Sequence, residues 1–421
     1  MNQGASCSTV QNPWEDRASL PPVPKSHAIL AAIAVFVAAV GQTLCFWNGI
    51  SAAVSEYVGI FLLVLLCIYT VKVTRSTPTL ALLLGTVFAL TFSGMNFIFG
   101  AVLLALILSI GAGAFLMTVT GRPYLPLLCY FAAYGACLVI TRDPIGSALT
   151  LFAMPASLLL GFATRKGLTR TQGICFSVLG LLASVSLILA FYLKQAGVAF
   201  ERDALLLHAE MLRTQLTDAA LAVRNETLEL LRSAAQDERS KQLYEQFASL
   251  YTDEMLRATV VQLFNLLPSL AIVVCLLLSY EASSFLLAAH VTAGLALVNT
   301  ERARRVTVSL PASAVFMISF LLTVILPQEH LANAVAQNLT VLLLPALSLV
   351  GVQRLLFLFY RAGGGMRMIL VIGIGALLCC NTGGALYILA FWGAYCSVGD
   401  LIHAALLERM KRNGGNGDPP Q

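Results

Sequence analysis

Apolar runs fill most of this chain, and most of them are about as long as the hydrocarbon core of a bilayer is thick. A helix needs about 20 mainly apolar residues to span that core. Only 11% of the residues are charged, against about 25% in a typical soluble globular domain. The sequence therefore predicts an all-α fold, a polytopic membrane helix bundle of about twelve transmembrane helices. The predicted spans are 28–47, 55–73, 78–94, 97–119, 124–141, 145–164, 172–193, 260–280, 308–326, 338–360, 367–381 and 385–403.

A long polar interval, from Phe200 to Arg257, separates two groups of these runs. It holds 11 of the 21 acidic residues of the chain against seven Arg and Lys. Apolar residues recur in it every three or four positions, which predicts an amphipathic helix, or a helical hairpin that turns near Gln236 to Ser240. These residues are Leu205, Leu212, Leu216, Ala219, Val223, Leu230 and Ala234.

The apolar runs and the polar interval together predict the domain organisation. A first transmembrane bundle of about seven helices (28–194) and a second of about five (260–408) flank a charged amphipathic insert at 195–259. An N-terminal tail (1–27) and a disordered C-terminal tail (409–421) lie outside them. The segment 281–299 is apolar enough to cross the membrane a second time after the span 260–280. That crossing would place the loop with Arg302, Arg304 and Arg305 outside the cell, however. We therefore predict a long or interfacial helix there.

Basic residues predict the orientation, because short loops rich in Lys and Arg stay in the cytoplasm. They follow the even-numbered spans, whereas the opposite loops carry almost none beyond Arg142. Both termini are therefore predicted to be cytoplasmic and the insert extracytoplasmic. The residues are Lys72, Arg75, Arg122, Arg165, Lys166, Arg170, Arg302, Arg304, Arg305, Arg361, Arg367, Arg409, Lys411 and Arg412.

Polar residues inside or at the edge of spans are candidate functional groups, because they are costly to place in a membrane. Arg354 and Asp400 lie in the inner half and are structural or proton-linked candidates. A second set lies in the outward half of the predicted spans. Its members could line a small pocket, or they could form hydrogen bonds with water at the headgroup boundary. In the second case Arg142 and Asp143 would form a local ion pair. The ligand-binding candidates of this set are Glu56, Asn96, Arg142, Asp143, Asn265 and Asn338.

Motifs of soluble enzymes are missing from the sequence: it has no Walker A loop, H-E-x-x-H motif, nucleophile elbow or dinucleotide fingerprint. The cysteines are scattered among apolar runs without metal-ligand spacing, and His290 is a lone histidine in an apolar context. We therefore predict no catalytic residue, no metal and no cofactor. A nucleic-acid partner is not expected, because the basic residues form no contiguous patch in the sequence.

Short motifs in the second half resemble those of the YybS-like family of bacterial integral membrane proteins, a domain of unknown function. They are Gln262-Leu-Phe-Asn-Leu-Leu-Pro268, Leu310-Pro311 after a basic loop, and Val398-Gly399-Asp400. The resemblance covers roughly residues 28–408 and implies a multi-pass protein of the bacterial cytoplasmic membrane. The first seven spans are also similar in layout to the solute-capturing subunits of energy-coupling-factor vitamin transporters, which is an analogy of fold.

Three function classes fit these patterns. The leading hypothesis is a non-enzymatic transporter-type protein that binds a small solute or lipid from the outer face, with the insert as a lid or partner contact. A membrane scaffold or sensor, whose residues 200–257 bind an envelope or membrane protein through the leucine face, is the first alternative. The second is a membrane-embedded enzyme that modifies a lipid or glycan, although the insert's net negative charge disfavours a polyanionic substrate.

Overall fold

The computed structural model describes residues 25–45, 52–74, 97–234, 238–293, 308–327, 330–361 and 384–399. Within these ranges the regular structure is entirely helical and contains no strand, which confirms the predicted all-α class. The α-helices are α1 (Lys25–Cys45), α2 (Ala52–Thr74), α3 (Phe97–Thr120), α4 (Tyr124–Thr141), α5 (Pro144–Ser147), α6 (Met154–Arg165), α7 (Arg170–Gln195), α8 (Arg202–Ala234), α9 (Glu238–Leu250), α10 (Asp253–Thr292), α11 (Leu310–Ile325), α12 (Leu331–Arg361) and α13 (Gly384–Gly399).

Seven helical stretches in the described part of the chain are long and apolar enough to cross a membrane. They are Ser26–Cys45, Gly100–Thr120, Tyr124–Thr141, Pro144–Arg165, Arg170–Gln195, Asp253–Thr292 and Leu331–Leu355. Shorter apolar helices occupy Tyr57–Thr70, Leu310–Ile325 and Gly384–Gly399. The predicted spans 78–94 and 367–381 lie outside the described residues. These helices are those of a membrane protein, and the total of twelve stays a prediction.

The span predicted as continuous over 145–164 is broken in the structure. Pro144–Ser147 forms α5, a 3-10 turn follows at Ala148–Leu151, and α6 begins at Met154. The buried amide of Gln42 on α1 donates from Nε2 to the Leu149 carbonyl oxygen at 2.7 Å. Irregular backbone at membrane depth needs such partners, because lipid supplies no hydrogen bonds.

The chain packs into two compact units. Unit 1 comprises residues 1–187 and 274–307, and unit 2 comprises residues 188–273 and 308–421. The bounds fall inside α7 and α10, and so differ from the predicted bundles at 28–194 and 260–408. The division into two bundles and an insert stays a prediction.

Helix α3 forms the centre of unit 1, where α1, α2, α4 and α6 pack around it. Small residues let the backbones approach closely: Gly111 of α3 faces Phe285 of α10, and Gly161 of α6 faces Met117 of α3. Because α10 continues unbroken through Thr292, the segment from 281 is the extension of a long helix packed on α3. That 281–299 is a long or interfacial helix without a second crossing stays a prediction.

Helices α3, α6 and α10 run in the same direction within unit 1. Gly111 lies beside Phe285, and further along both helices Thr118 bonds His290. At the end of α6, Arg165 donates to the Gly121 carbonyl just beyond α3. These relative directions agree with the alternation predicted from the sequence, in which all three helices enter from the same side. Which end faces the cytoplasm stays a prediction.

The polar insert lies in unit 2 as two contacting helices, α8 and α9, followed directly by α10. Arg224 of α8 fixes the start of α10: its Nη1 lies 2.6 Å from Asp253 Oδ1, and its Nε donates to the Tyr251 carbonyl. Apolar side chains on α8 remain exposed, among them Leu216, Val223 and Leu230.

Helices α11, α12 and α13 form the core of unit 2. Phe316 and Leu347 are fully buried there and pack with Ala390. Helices α12 and α13 approach closely where Gly393 faces the Leu347 carbonyl and where Gly351 faces the Leu389 carbonyl. Small residues on both helices therefore allow this packing.

Candidate functional site

A cluster of polar side chains on α10 lies inside unit 1. Tyr280, Ser283 and Ser284 are separated by three and four positions, which places them on one face of the helix. Arg170, the first residue of α7, reaches this face. Its Nε donates to Ser283 Oγ at 3.0 Å, its Nη2 donates to Ser284 Oγ, and its Cζ lies 4.6 Å from the centre of the Tyr280 ring. The guanidinium is thus held by hydroxyls and an aromatic face.

Glu281 adds an acidic group to the same turn of α10. It is 7% exposed and lies in a helix that is otherwise apolar enough to span a membrane. Translocon-based scales place the cost of a charged side chain at the centre of a spanning helix at about 2.5–3.5 kcal/mol. This cost applies to Glu281, whereas Arg170 is the first residue of α7 and directly follows the loop at 166–169.

His290 lies further along α10 and bonds through both ring nitrogens. Nδ1 is 2.8 Å from the Leu286 carbonyl oxygen and Nε2 is 2.9 Å from Thr118 Oγ1, while the ring meets Phe115 edge-on. Because a carbonyl only accepts, Nδ1 carries the proton in this arrangement. Thr118 Oγ1 also lies 2.8 Å from the Phe115 carbonyl oxygen, so its one hydroxyl hydrogen is donated either to that carbonyl or to Nε2.

Metal ligation is not indicated in the described residues, where no group of three or more His, Cys, Asp or Glu side chains could hold an ion. The arrangement of Arg170, the serine hydroxyls and Glu281 instead offers hydrogen-bond donors and acceptors of both charges. Such a set can hold a small polar or zwitterionic group, or move a proton.

The predicted candidates Arg142 and Asp143 are accounted for by a turn. Arg142 ends α4 in the left-handed conformation, with φ 54°, and its side chain is exposed. The Asp143 carboxylate accepts from the Ile145 amide at 3.0 Å and so caps α5. Within the described residues these two form no ion pair with each other. Their conformation is thus explained without a ligand.

Asn265 and Asn338 are brought together in unit 2. Asn338 Nδ2 donates to the backbone oxygen of Asn265 at 3.2 Å, and its Oδ1 accepts from Ser269 Oγ at 2.6 Å. Pro268 lies between these two α10 residues, and the carbonyl that it leaves without an amide donor is that of Phe264, four positions earlier. Asn338 therefore links α12 to α10 within one turn of the proline, through the neighbouring carbonyl of Asn265.

This geometry predicts different effects for the two asparagines. Replacing Asn338 by alanine removes both side-chain hydrogen bonds to α10 but keeps the bond from Ser269 Oγ to the Asn338 backbone oxygen at 3.1 Å, and should cost about 1–2 kcal/mol. Replacing Asn265 by alanine keeps the backbone oxygen that Asn338 uses, and its exposed side chain should cost less than about 0.5 kcal/mol. Thermal unfolding of the purified variants measures both. Equal losses of stability in the two variants would contradict the contact between the Asn338 side chain and α10.

The remaining candidates have no assigned role. Glu56 lies in α2, but its side chain is not among those described, and Asn96 and Asp400 lie outside the described residues. Arg354 lies in α12 and is half-buried. All four stay candidates from the sequence alone.

Arg170, Glu281 and the face of Tyr280, Ser283 and Ser284 form what we call the α10 cluster. The sequence interpretation missed it, because it assigned Arg170 to a basic loop and Glu281 to an ambiguous segment. The spacing of Tyr280, Ser283 and Ser284 within an apolar run was the available signal. It indicates a polar face, but it does not reveal that Arg170 meets that face more than a hundred positions away.

No protein-family model, curated protein or solved structure matches this chain. The resemblance to the YybS-like family stays a prediction.

Proposed function

We propose that this chain is a non-enzymatic, multi-pass membrane protein of transporter type, which takes a small solute or lipid from the outer face of a bacterial cytoplasmic membrane. The proposal is carried by one observation: Glu281 and His290 are buried within α10, a helix that is apolar enough to cross a membrane, and Arg170 reaches the same helix from the start of α7. Ionisable residues in such helices usually mark a pathway for a substrate or ion. In the proposed orientation both termini are cytoplasmic.

Both units contain helices with features suited to movement. The span Pro144–Arg165 is broken, and the long helices α10 and α12 contain Pro268 and Pro345. Broken helices often form substrate sites in transporters, and prolines are common positions of helix bending.

Substitution of Glu281 by glutamine tests the proposal, because it removes the charge and keeps the shape. Full-length protein in proteoliposomes is incubated with a metabolite and lipid extract, and the molecules accumulated are identified by mass spectrometry. We expect at least one molecule to accumulate over protein-free vesicles, and Glu281→Gln to lower its accumulation about tenfold or more.

Glu229→Gln is the matched control, since Glu229 is an exposed acidic residue of α8. It should leave accumulation unchanged. If no molecule accumulates with the wild-type protein, or if Glu281→Gln and Glu229→Gln behave alike, the proposed pathway through the α10 cluster is wrong.

A scaffold or sensor role is the second candidate function, and the exposed apolar side chains of α8 favour it. Val223 and Leu230 are 63% and 64% exposed on an otherwise charged helix. A photo-reactive side chain at Leu230 should then capture an envelope protein in living cells. Capture of the chain's own helices alone would remove this candidate.

A further inference from the structure

Three basic residues meet at one end of unit 1, in the loops that connect its spanning helices. Arg122 lies between α3 and α4, and Arg165 and Lys166 lie between α6 and α7. The two loops are joined by a hydrogen bond of 2.6 Å from Arg165 Nη1 to the Gly121 carbonyl oxygen. Residues 44 positions apart in sequence thereby form a single surface, which we call the basic patch.

Two glycine turns hold the basic patch in place. Gly121 and Gly167 have φ of 69° and 67°, the left-handed conformation that commonly ends a helix. After α6, the Leu168 amide donates to the Ala163 carbonyl at 3.1 Å and closes the turn. The backbone around Arg122, Arg165 and Lys166 is therefore held in place by the ends of α3 and α6.

Compensating negative charge is scarce around the basic patch. Between Glu56 and Glu201 the sequence contains a single acidic residue, Asp143. The buried Glu281 of unit 1 precedes by nine positions the His290 that bonds Thr118, and so lies about 13 Å from that level along α10. Asp143 follows the opposite end of α4, a helix of 18 residues, and so lies about 27 Å away along its axis. Arg122, Arg165 and Lys166 take part in no ion pair within the part of the chain that the structure describes. The patch thus retains its positive charge.

The depth of the basic patch follows from the helices that it joins. The loops at 121–123 and 166–169 connect successive spanning helices, so in a bilayer they lie at the level of the headgroups. Two exposed aromatic residues flank the patch, as at other membrane interfaces. The Arg122 guanidinium lies over the Tyr124 ring, and the Lys166 ammonium lies over the Phe162 ring, each at 5.9 Å.

We propose that the basic patch binds the phosphate group of an acidic phospholipid in the adjoining leaflet. Arginine forms paired hydrogen bonds with phosphate oxygens and lysine adds a point charge, while acyl chains would lie along the apolar helix surfaces. A phospholipid fits better than a soluble anion because the patch lies at headgroup depth between aromatic side chains. The proposal does not depend on which solute the protein carries.

Native mass spectrometry of the full-length protein, released from detergent with added lipid, tests the proposal. The binding of phosphatidylglycerol and of phosphatidylcholine is measured for the wild-type protein and for the double variant Arg122→Gln, Lys166→Gln. Both side chains are exposed, and this variant keeps the bond from Arg165 to Gly121. We expect phosphatidylglycerol to bind in preference to phosphatidylcholine, and its apparent dissociation constant to rise about tenfold or more in the double variant.

Lys194→Gln combined with Arg202→Gln is the control, because it removes the same charge from exposed positions elsewhere. It should leave phosphatidylglycerol binding unchanged. An equal loss of phosphatidylglycerol binding in both double variants, or no loss of binding in either, would overturn the proposal. Displacement of phosphatidylglycerol by millimolar inorganic phosphate would also overturn it, in favour of a site for a soluble anion.

Discussion

Substitution of Gly393 by alanine is expected to lower the apparent Tm of the purified protein by about 4–16 °C. A Cβ atom at this position would collide with the backbone oxygen of Leu347 and approach the Gly351 amide to 2.9 Å. Backbone atoms cannot turn away as a side chain can, so α12 and α13 would have to separate. The resulting loss of packing around Phe316 and Ala390 should cost about 2–4 kcal/mol.

Gly399→Ala is the matched control for this prediction. It places the same methyl group on the same helix, where nothing lies within 4 Å. Its apparent Tm should stay within about 2 °C of the wild-type value, because substitutions away from close contacts rarely change stability by more than about 0.5 kcal/mol. Equal shifts for Gly393→Ala and Gly399→Ala would show that the close approach of α12 and α13 is wrong.

Substitution of Gly180 by alanine should have a comparable effect on unit 1. A Cβ atom there would lie 2.5 Å from the Ala156 amide nitrogen and 2.7 Å from the Pro155 carbonyl carbon. These atoms belong to the first turn of α6, directly after the break in its span. We therefore expect a loss of about 2–4 kcal/mol and aggregation on size-exclusion chromatography.

Gly135→Ala is the control for Gly180→Ala, because Gly135 is also inside a spanning helix of unit 1 and has no neighbour within 4 Å. Alanine is favoured over glycine in a helix, so this variant should be neutral or slightly more stable. A stable, monodisperse Gly180→Ala protein would contradict the observed packing of α7 on α6.

The helical class could be predicted from the sequence because lipid leaves few alternatives for apolar runs of this length. The amphipathic period of 200–257 likewise predicted helices, and the break between α8 and α9 lies at the edge of the predicted turn at Gln236 to Ser240. Local patterns suffice for such features, since they depend on neighbours three and four positions apart.

Long-range contacts explain what the sequence did not reveal. The break after Leu151 lies in a uniformly apolar run, and hydropathy cannot show that Gln42 supplies a partner for the irregular backbone there. Asn338 seemed available to a ligand, but its amide is used by α10. The meeting of Arg170 with Ser283 joins residues 113 positions apart, which no periodicity encodes.

The side of the membrane on which α8 and α9 lie is the claim on which the proposed uptake from the outer face depends. Ser233 near the end of α8 and Thr169 in the loop between α6 and α7 are both exposed, and each can be replaced by cysteine. Intact cells are treated with a membrane-impermeant maleimide, with wild-type protein as the background. We expect Ser233→Cys to be labelled in intact cells and Thr169→Cys to be labelled only after permeabilisation. Labelling in the reverse order would contradict it.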